Sequence, residues 1–142
     1  MSALMSVGYE GRSIEDFIDD LRSRGVRALA DVRLAARSRK RGFSKTRLTE
    51  MLAEAGIEYH HFPALGNPKD NREPFWTGHG LEAALDRCRE SVHSESGFAA
   101  LEQIKDLSAK GDVAVFCFEA DESRCHRQVV IEALQSDRPL GE

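Results

Sequence analysis

The sequence predicts an α/β fold: a single domain with a mostly parallel sheet of about four strands flanked by helices. Amphipathic helical stretches alternate with short β-rich runs, which is typical of parallel sheets covered by helices. The chain has 142 residues, of which 41% are hydrophobic. That length is enough for one core and too short for two ordinary domains. We therefore assign residues 1–142 to one domain.

Apolar spacing and helix-end residues indicate the first two strands and the helix between them. Residues 4–7 predict a strand. Ser13 begins a helix, because Asp16 follows three positions later in a capping-box spacing and apolar residues then recur every three or four positions. Gly25 is expected in the left-handed conformation that ends a helix, and residues 26–32 predict the second strand.

The same order of helix, glycine and strand recurs twice. Ser44 is expected to cap a second helix, which Gly56 ends before a strand at residues 57–62. A further amphipathic helix is expected to end at Gly111. The nearly continuous apolar run at residues 113–118 predicts a central strand that is covered on both faces.

Three other segments complete the prediction. Residues 63–80 are rich in Pro, Gly and Asn and lack periodicity, so they are expected to form a long loop. Long loops in compact domains are usually functional or mobile. Apolar spacing predicts an extra helix at residues 81–92 and a last helix from Cys125 to about Gln135.

Charge is distributed unevenly along the chain. The formal net charge is −4, yet residues 33–47 carry seven basic side chains and no acidic one. This run predicts an anion-binding loop, in which arginines grip phosphate, Phe43 offers a stacking surface, and the N–H groups after Ser44 add to the site. The alternative is a solvated run of charge.

The number of cysteines and the length of the apolar runs indicate the cellular location of the protein. Three cysteines, an odd number, and a start without the pattern of a secretory leader favour a reduced, cytoplasmic protein. The longest apolar runs are a few residues, far short of the roughly 20 that cross a bilayer. We therefore expect no membrane partner.

Polar residues follow or end every predicted strand. Ligands of open α/β sheets bind beyond the carboxyl ends of the strands, so these residues are the first candidates for a site. They are Glu10 and Arg12 after the first strand, Asp31 and Arg33 at the second, His60 and His61 at the third, and Cys117 and Glu119 at the fourth. We expect these side chains to share one rim.

Several short motifs, in order along nearly the whole chain, resemble a known family. They are Gly8-Tyr9-Glu10-Gly11, Asp31-Val32-Arg33, Ser38-Arg39-Lys40 with Gly42-Phe43-Ser44, Leu65-Gly66-Asn67-Pro68, and Cys117-Phe118-Glu119 followed by Cys125-His126-Arg127. On these residues the chain is identified as a member of the uncharacterised prokaryotic family catalogued as domain of unknown function 488. The resemblance implies no established reaction, so function is argued from the residues themselves.

The spacing Cys117-x7-Cys125-His126-Arg127 is the sharpest local feature. A thiol at a helix N-terminus beside a cation has its thiolate favoured, which makes Cys125 a candidate nucleophile, with a packed thiol as the alternative. Three carboxylates in the intervening loop, and a spacing unlike a short Cys-x5-Arg loop, argue against a phosphatase. His126 is the candidate proton carrier, because an unperturbed imidazole titrates near neutrality.

Zinc is one metal that the sequence could hold. The available soft ligands are Cys117, Cys125, His126, His60 and His61. The sequence contains no Cys-x2-Cys pair, and a cysteine on an apolar strand is more often a core residue. Zinc is therefore the weaker interpretation.

A hard cation is the other metal considered. Glu10, Asp31 and Glu119 follow three different strands and could hold Mg²⁺ beside a phosphate. The alternative is that each acid pairs with an arginine and fixes a loop. We assign no metal ligand and leave the cofactor unknown.

Aromatic residues offer two ways to contact a ligand. Phe75 and Trp76, near the end of the long loop, could stack a base or anchor the loop in the core, and we favour the anchor. Tyr9, directly after the first strand, is the better candidate for a pocket aromatic, with its hydroxyl near the site.

Together these residues predict a strand-end cleft that binds a phosphorylated small molecule or nucleic acid, in a protein that acts on it by hydrolysis or group transfer. The expected catalytic residues are Glu10, Asp31, Glu119, Cys125 and His126. The expected anion-binding residues are Tyr9, Arg12, Arg33, Arg37, Arg39, Lys40 and Arg127. The alternatives are a non-catalytic nucleic-acid-binding or adaptor module, and a thiol redox sensor that uses Cys117 and Cys125.

Overall fold

The computed structural model describes residues 4–135, which contain one four-stranded, all-parallel sheet. The strands are β1 (Leu4–Gly8), β2 (Val26–Asp31), β3 (Glu58–His61) and β4 (Asp112–Cys117). They lie in the order β1-β4-β2-β3. The predicted α/β class and parallel sheet are confirmed, and the predicted strand bounds are right to within one residue at each end.

Six α-helices lie within residues 4–135 and cover both faces of the sheet. They are α1 (Ile14–Ser23), α2 (Lys45–Glu54), α3 (Glu73–Thr77), α4 (Leu81–Val92), α5 (Glu95–Ser108) and α6 (Arg127–Leu134). α1 and α2 pack on one face, whereas α4, α5 and α6 pack on the other. No helix in this part of the chain combines the length and the apolar character needed to cross a membrane. The cytoplasmic location stays a prediction.

β4 is the central apolar strand that the sequence predicts. Val113 and Val115 face the α4–α6 side, while Ala114 and Phe116 face the α1–α2 side, and all four are fully buried. Because successive side chains of a strand point to opposite faces, Cys117 lies on the α4–α6 side. The alternation of side chains along β4 thus places Cys117 among the residues packed between the sheet and α4–α6.

Three predicted helix ends are confirmed. The hydroxyl of Ser13 accepts a hydrogen bond from the backbone N–H of Asp16 at 3.1 Å, which caps α1. Gly25 and Gly56 follow α1 and α2 with φ angles of 70° and 78°, in the left-handed region that favours glycine. Local sequence was sufficient here because each signal acts within one turn.

Ser44 occupies the N-cap position of α2, as predicted, but its hydroxyl hydrogen-bonds the backbone N–H and carbonyl of Ser38 instead of capping the helix. Two other expected ends are wrong. Gly111 is outside the left-handed region, since the N–H of Lys110 already closes the end of α5. The last helix begins at Arg127 rather than Cys125.

The segment at residues 63–80 is more regular than the expected long loop. It contains two turns of 3-10 helix, Pro63–Leu65 and Lys69–Asn71, followed by α3. The buried side chains of Asn67 and Asn71 hydrogen-bond each other at 2.9 Å. This pair of amides stabilises the segment by a hydrogen bond, which leaves no hydrophobic periodicity in the sequence.

The end of β1 touches the backbone of the segment that follows β4. The N–H groups of Tyr9 and Glu10 both donate to the carbonyl of Phe118, at 3.0 and 2.8 Å. A Cβ atom on Gly8 would fall on the backbone carbonyl of Glu119. Only glycine at this position allows the two segments to lie so close.

We predict that Gly8→Ala lowers the free energy of unfolding by about 2 kcal/mol, as overpacking against backbone does. Gly111→Ala is the comparison variant, because its Cβ would meet side-chain atoms of Arg27 and no backbone atom. It should lose clearly less stability than Gly8→Ala, since a side chain moves aside more readily than backbone. Urea denaturation of both variants measures the difference, and equal stabilities would contradict the close approach.

Candidate functional site

A cavity of about 200 Å³ opens at the carboxyl ends of β1, β2 and β4. Its walls come from four parts of the chain: Tyr9 after β1, residues 33–37 after β2, residues 67–76 between β3 and α4, and residues 117–126 after β4. Parallel strands end at one edge of the sheet, so segments far apart in sequence meet there. The cavity is therefore the candidate functional site.

Two cysteines and one histidine form a buried group that lines this cavity. We call Cys117, Cys125 and His126 the thiol–imidazole cluster. Nδ1 of His126 lies 3.7 Å from Sγ of Cys125 and 3.9 Å from Sγ of Cys117. The three atoms all lie within 4.8 Å of one another. Sulfur and nitrogen donors are thus concentrated at one wall of the cavity.

Both ring nitrogens of His126 have partners inside the protein. Nε2 lies 2.8 Å from the carbonyl oxygen of Val32. A carbonyl can only accept, so Nε2 carries the proton and donates it, and Nδ1 faces the two thiols. The sequence predicts that His126 carries a proton to or from a ligand. In this arrangement neither of its ring nitrogens is free to do so.

The expected activation of Cys125 is not seen. Cys125 is 1% exposed, and burial, together with the neighbouring Cys117, raises the pKa of its thiol well above the usual value, although His126 acts in the opposite direction. Arg127, the cation expected beside this thiol, directs its guanidinium elsewhere. The guanidinium donates hydrogen bonds to the hydroxyl of Ser6 at 2.6 Å and to the carbonyl of Ala120 at 3.3 Å. The prediction of a low-pKa nucleophile is therefore wrong for this arrangement.

A buried ion pair joins Asp31 and Arg33 beside the cavity. Nη2 of Arg33 lies 2.7 Å from Oδ2 of Asp31, and Nε lies 2.9 Å from Oδ1. The hydroxyl of Tyr59 donates to the same carboxylate at 2.5 Å. Burial alone would lower the pKa of Arg33, but the hydrogen bonds and charge of Asp31 raise it above its usual value. Asp31 is thus a structural partner of Arg33, the alternative that the sequence left open.

Aromatic rings cover the other side of the Arg33 guanidinium. The ring of Phe43 is fully buried and stacks on Tyr9, with centroids 4.3 Å apart. Tyr9 also stacks on Phe116, and Arg33 lies over both rings. The prediction that Phe43 stacks on a ligand is wrong, because the loop folds this ring into the core. Tyr9 is also buried but reaches the cavity wall.

Three further arginines line the cavity: Arg37, Arg72 and Arg124. Nε of Arg72 donates to the carbonyl of Asn67 at 3.0 Å. Across residues 4–135, none of the three guanidinium groups forms an ion pair with a carboxylate. The cavity wall therefore carries three guanidinium groups that no ion pair among the described residues neutralises.

Glu119 is the one carboxylate among the described residues that lines the cavity. Its Oε1 accepts a hydrogen bond from the indole N–H of Trp76 at 3.3 Å. Both Trp76 and Phe75 line the cavity, but Trp76 is 54% exposed whereas Phe75 is buried in the core. The expected anchoring role is right for Phe75 and wrong for Trp76.

Two of the five expected catalytic residues do not reach the cavity. Asp31 is held by Arg33, and Glu10 is exposed, with its carboxylate accepting the backbone N–H of Ala120 at 3.1 Å. The three that line it are Glu119, Cys125 and His126. The acids therefore do not assemble into the magnesium site considered from the sequence.

The basic run at residues 33–47 is dispersed. Arg33 and Arg37 line the cavity, whereas Arg41 and Arg47 pair with surface glutamates. The expected anion-binding residues that lie outside the cavity are Arg12, Arg39, Lys40 and Arg127. Sequence reasoning missed Arg72 and Arg124 and favoured the core for Trp76, because nothing local shows that these residues fold over the strand ends.

The histidines that end β3 lie outside the thiol–imidazole cluster. His60 contacts Glu58 at 3.2 Å, and Nε2 of His61 lies 2.7 Å from the carbonyl oxygen of Arg33. Of the five zinc ligands considered from the sequence, the structure therefore groups three.

The family described as "Domain of unknown function DUF488" matches residues 13–134, so the chain belongs to this family. The matched range includes every residue that lines the cavity except Tyr9. No curated protein and no solved structure matches the chain.

The hydroxyl of Tyr59 gives the Asp31–Arg33 pair a measurable pH dependence. Burial and the charge of Asp31 raise the pKa of Tyr59, while Arg33 lowers it to a smaller extent. A raised pKa in the folded state contributes stability that is complete below the unfolded tyrosine pKa of about 10 and is lost as pH rises above it. We predict that Tyr59→Phe is less stable than the native protein by about 1 kcal/mol at pH 7.

This difference should shrink as the pH is raised past about 10, because the Tyr59 phenol then ionises in the unfolded chain but stays neutral in the folded one, which favours unfolding only where Tyr59 is present. Chemical denaturation of both proteins from pH 7 to alkaline pH measures it. A difference that stays constant across this range would contradict the assigned hydrogen bond.

Proposed function

We propose that this DUF488 protein binds a small phosphorylated molecule in the strand-end cavity. The observation that carries the proposal is the convergence of Arg37, Arg72 and Arg124 on one cavity without ion-pair partners among residues 4–135. Arginines from three separate segments line this cavity, which is the arrangement that recognises a phosphate from several sides.

The charge around the cavity supports a ligand with more than one negative charge. Asp31 already neutralises Arg33. The other three arginines face a single carboxylate, Glu119, which leaves an excess of two positive charges on the wall. A phosphate monoester carries about this charge at neutral pH. Its oxygens can accept bidentate hydrogen bonds from guanidinium groups.

Exposed apolar groups on the same wall suit the organic part of the ligand. Trp76 and Phe118 are 54% and 43% exposed, and both line the cavity. An aromatic face of this kind stacks on a base or another flat group. The volume of about 200 Å³, and the dispersal of the basic run at residues 33–47, favour a small molecule over a nucleic-acid chain.

If the bound molecule is transformed, Glu119 is our candidate acid or base. It is the described carboxylate that lines the cavity, and it is partly exposed to the space a ligand would fill. The hydrogen bond from Trp76 orients one of its oxygens. A protein that binds phosphate but leaves it unaltered, the adaptor alternative, would need the arginines but not the charge of Glu119.

Trp76 provides the measurement, because it is the single tryptophan of the chain and lines the cavity. We predict that phenyl phosphate and inorganic phosphate change its fluorescence saturably, and that phenol binds much more weakly. Removing one charge-assisted contact costs about 1.5–3 kcal/mol. Arg37→Ala, Arg72→Ala and Arg124→Ala should therefore each weaken binding of phenyl phosphate by roughly 10- to 100-fold.

Arg47→Ala is the matched control, since Arg47 belongs to the same basic run but pairs with Glu50 on the surface. Its affinity for phenyl phosphate should equal that of the native protein. Equal losses in Arg47→Ala and the cavity variants would indicate nonspecific charge attraction and overturn the proposal.

A further inference from the structure

We infer that Cys117, Cys125 and His126 form a binding site for Zn²⁺ that opens on the cavity. The three potential donor atoms all lie within 4.8 Å of one another, on residues that are each at least nine-tenths buried. Two sulfurs and an imidazole nitrogen form a soft donor set that suits zinc. This inference goes beyond phosphate binding and does not depend on it.

The separations of the donor atoms are close to those around a tetrahedral zinc ion. At the tetrahedral angle, bond lengths of about 2.3 Å to sulfur and about 2.0 Å to nitrogen place a sulfur and a nitrogen ligand about 3.5 Å apart. Nδ1 of His126 lies 3.7 and 3.9 Å from the two sulfurs. Both nitrogen–sulfur separations are therefore within a few tenths of an ångström of the value that zinc ligands require.

Hydrogen bonds around the cluster hold the ligands in the state that a metal needs. The bond from Nε2 of His126 to the carbonyl of Val32 fixes the tautomer and leaves the lone pair of Nδ1 directed at the sulfurs. Histidine ligands of metals almost always donate their second N–H in this way. The backbone N–H of Arg127 lies 3.5 Å from Sγ of Cys125, where it would stabilise a thiolate.

Charge balance also favours an ion of charge +2. On binding, each cysteine forms an S–Zn bond and releases its thiol proton to solvent, and His126 binds as the neutral imidazole. Two thiolates and Zn²⁺ sum to zero charge, which is the least costly arrangement in a buried position.

The fourth coordination position would face the cavity, because all three proposed ligands line it. Oε2 of Glu119 lies 3.8 Å from Sγ of Cys117, so its carboxylate is near that position. A zinc ion with three protein ligands and an open position is typical of catalytic rather than structural sites. The site would place a Lewis acid beside the arginines of the cavity wall.

A disulfide between Cys117 and Cys125 is the competing use of the same sulfurs. It would remove both thiol protons that Nδ1 of His126 can accept, and this buried nitrogen would lose its partners. The geometry therefore favours a metal over a disulfide, and the experiment distinguishes the two.

The test uses the full chain, reduced and stripped of metal with a chelator. Added Co²⁺ should bind with one equivalent per chain and produce a thiolate-to-cobalt charge-transfer band, and Zn²⁺ should abolish that band by displacement. Cys117→Ser and Cys125→Ser should weaken Zn²⁺ binding by about 100-fold or more and diminish the band. Cys88→Ser is the matched control, because Cys88 is also buried but outside the cluster.

X-ray absorption at the zinc edge of the native protein covers the case in which a cysteine variant does not fold. It should show two sulfur ligands together with nitrogen or oxygen. Zinc bound only by nitrogen and oxygen, no charge-transfer band in the reduced protein, or equal losses in Cys88→Ser would overturn the inference. An Arg72→Ala variant that no longer binds phenyl phosphate but keeps the cobalt band would support the zinc site. The phosphate proposal and the zinc proposal can therefore fail separately.

Discussion

At the end of β2, the carboxylate of Asp31 holds the guanidinium of Arg33 in a bidentate contact that is almost completely shielded from solvent. Breaking a buried pair of this kind costs about 3–5 kcal/mol, because it leaves one charge uncompensated. Arg33 in turn donates to the carbonyl of Phe43 at 2.6 Å, and Asp31 accepts from Tyr59. One ion pair thus ties β2 to β3 and to the loop before α2.

The residue between the two charges connects this pair to the other face of the sheet. Val32 packs on the α4–α6 side, and its carbonyl accepts the hydrogen bond from His126. Alternation along β2 therefore places the ion pair on one face and the support of the thiol–imidazole cluster on the other. The cavity lies where the two faces meet, so its chemistry combines charged groups from one core with sulfur and imidazole from the other.

Features that depend on a few neighbouring residues could be predicted from the sequence, and features that depend on how segments fold over one another could not. The strands and the cap at Ser13 follow from local spacing. Phe43 and Trp76 show the limit: both are aromatic residues in aperiodic segments, yet one is buried in the core and the other lines the cavity. Which of them reaches the cavity is decided by contacts with Tyr9 and Glu119, distant in sequence.

If the Asp31–Arg33 pair organises both halves of the site, Asp31→Asn should loosen both, and hydrogen–deuterium exchange measures this. We expect faster exchange at residues 36–44 and at residues 117–127, with α5 (Glu95–Ser108) close to its native rate. Native exchange rates in both segments, or an equal increase that includes α5, would contradict it.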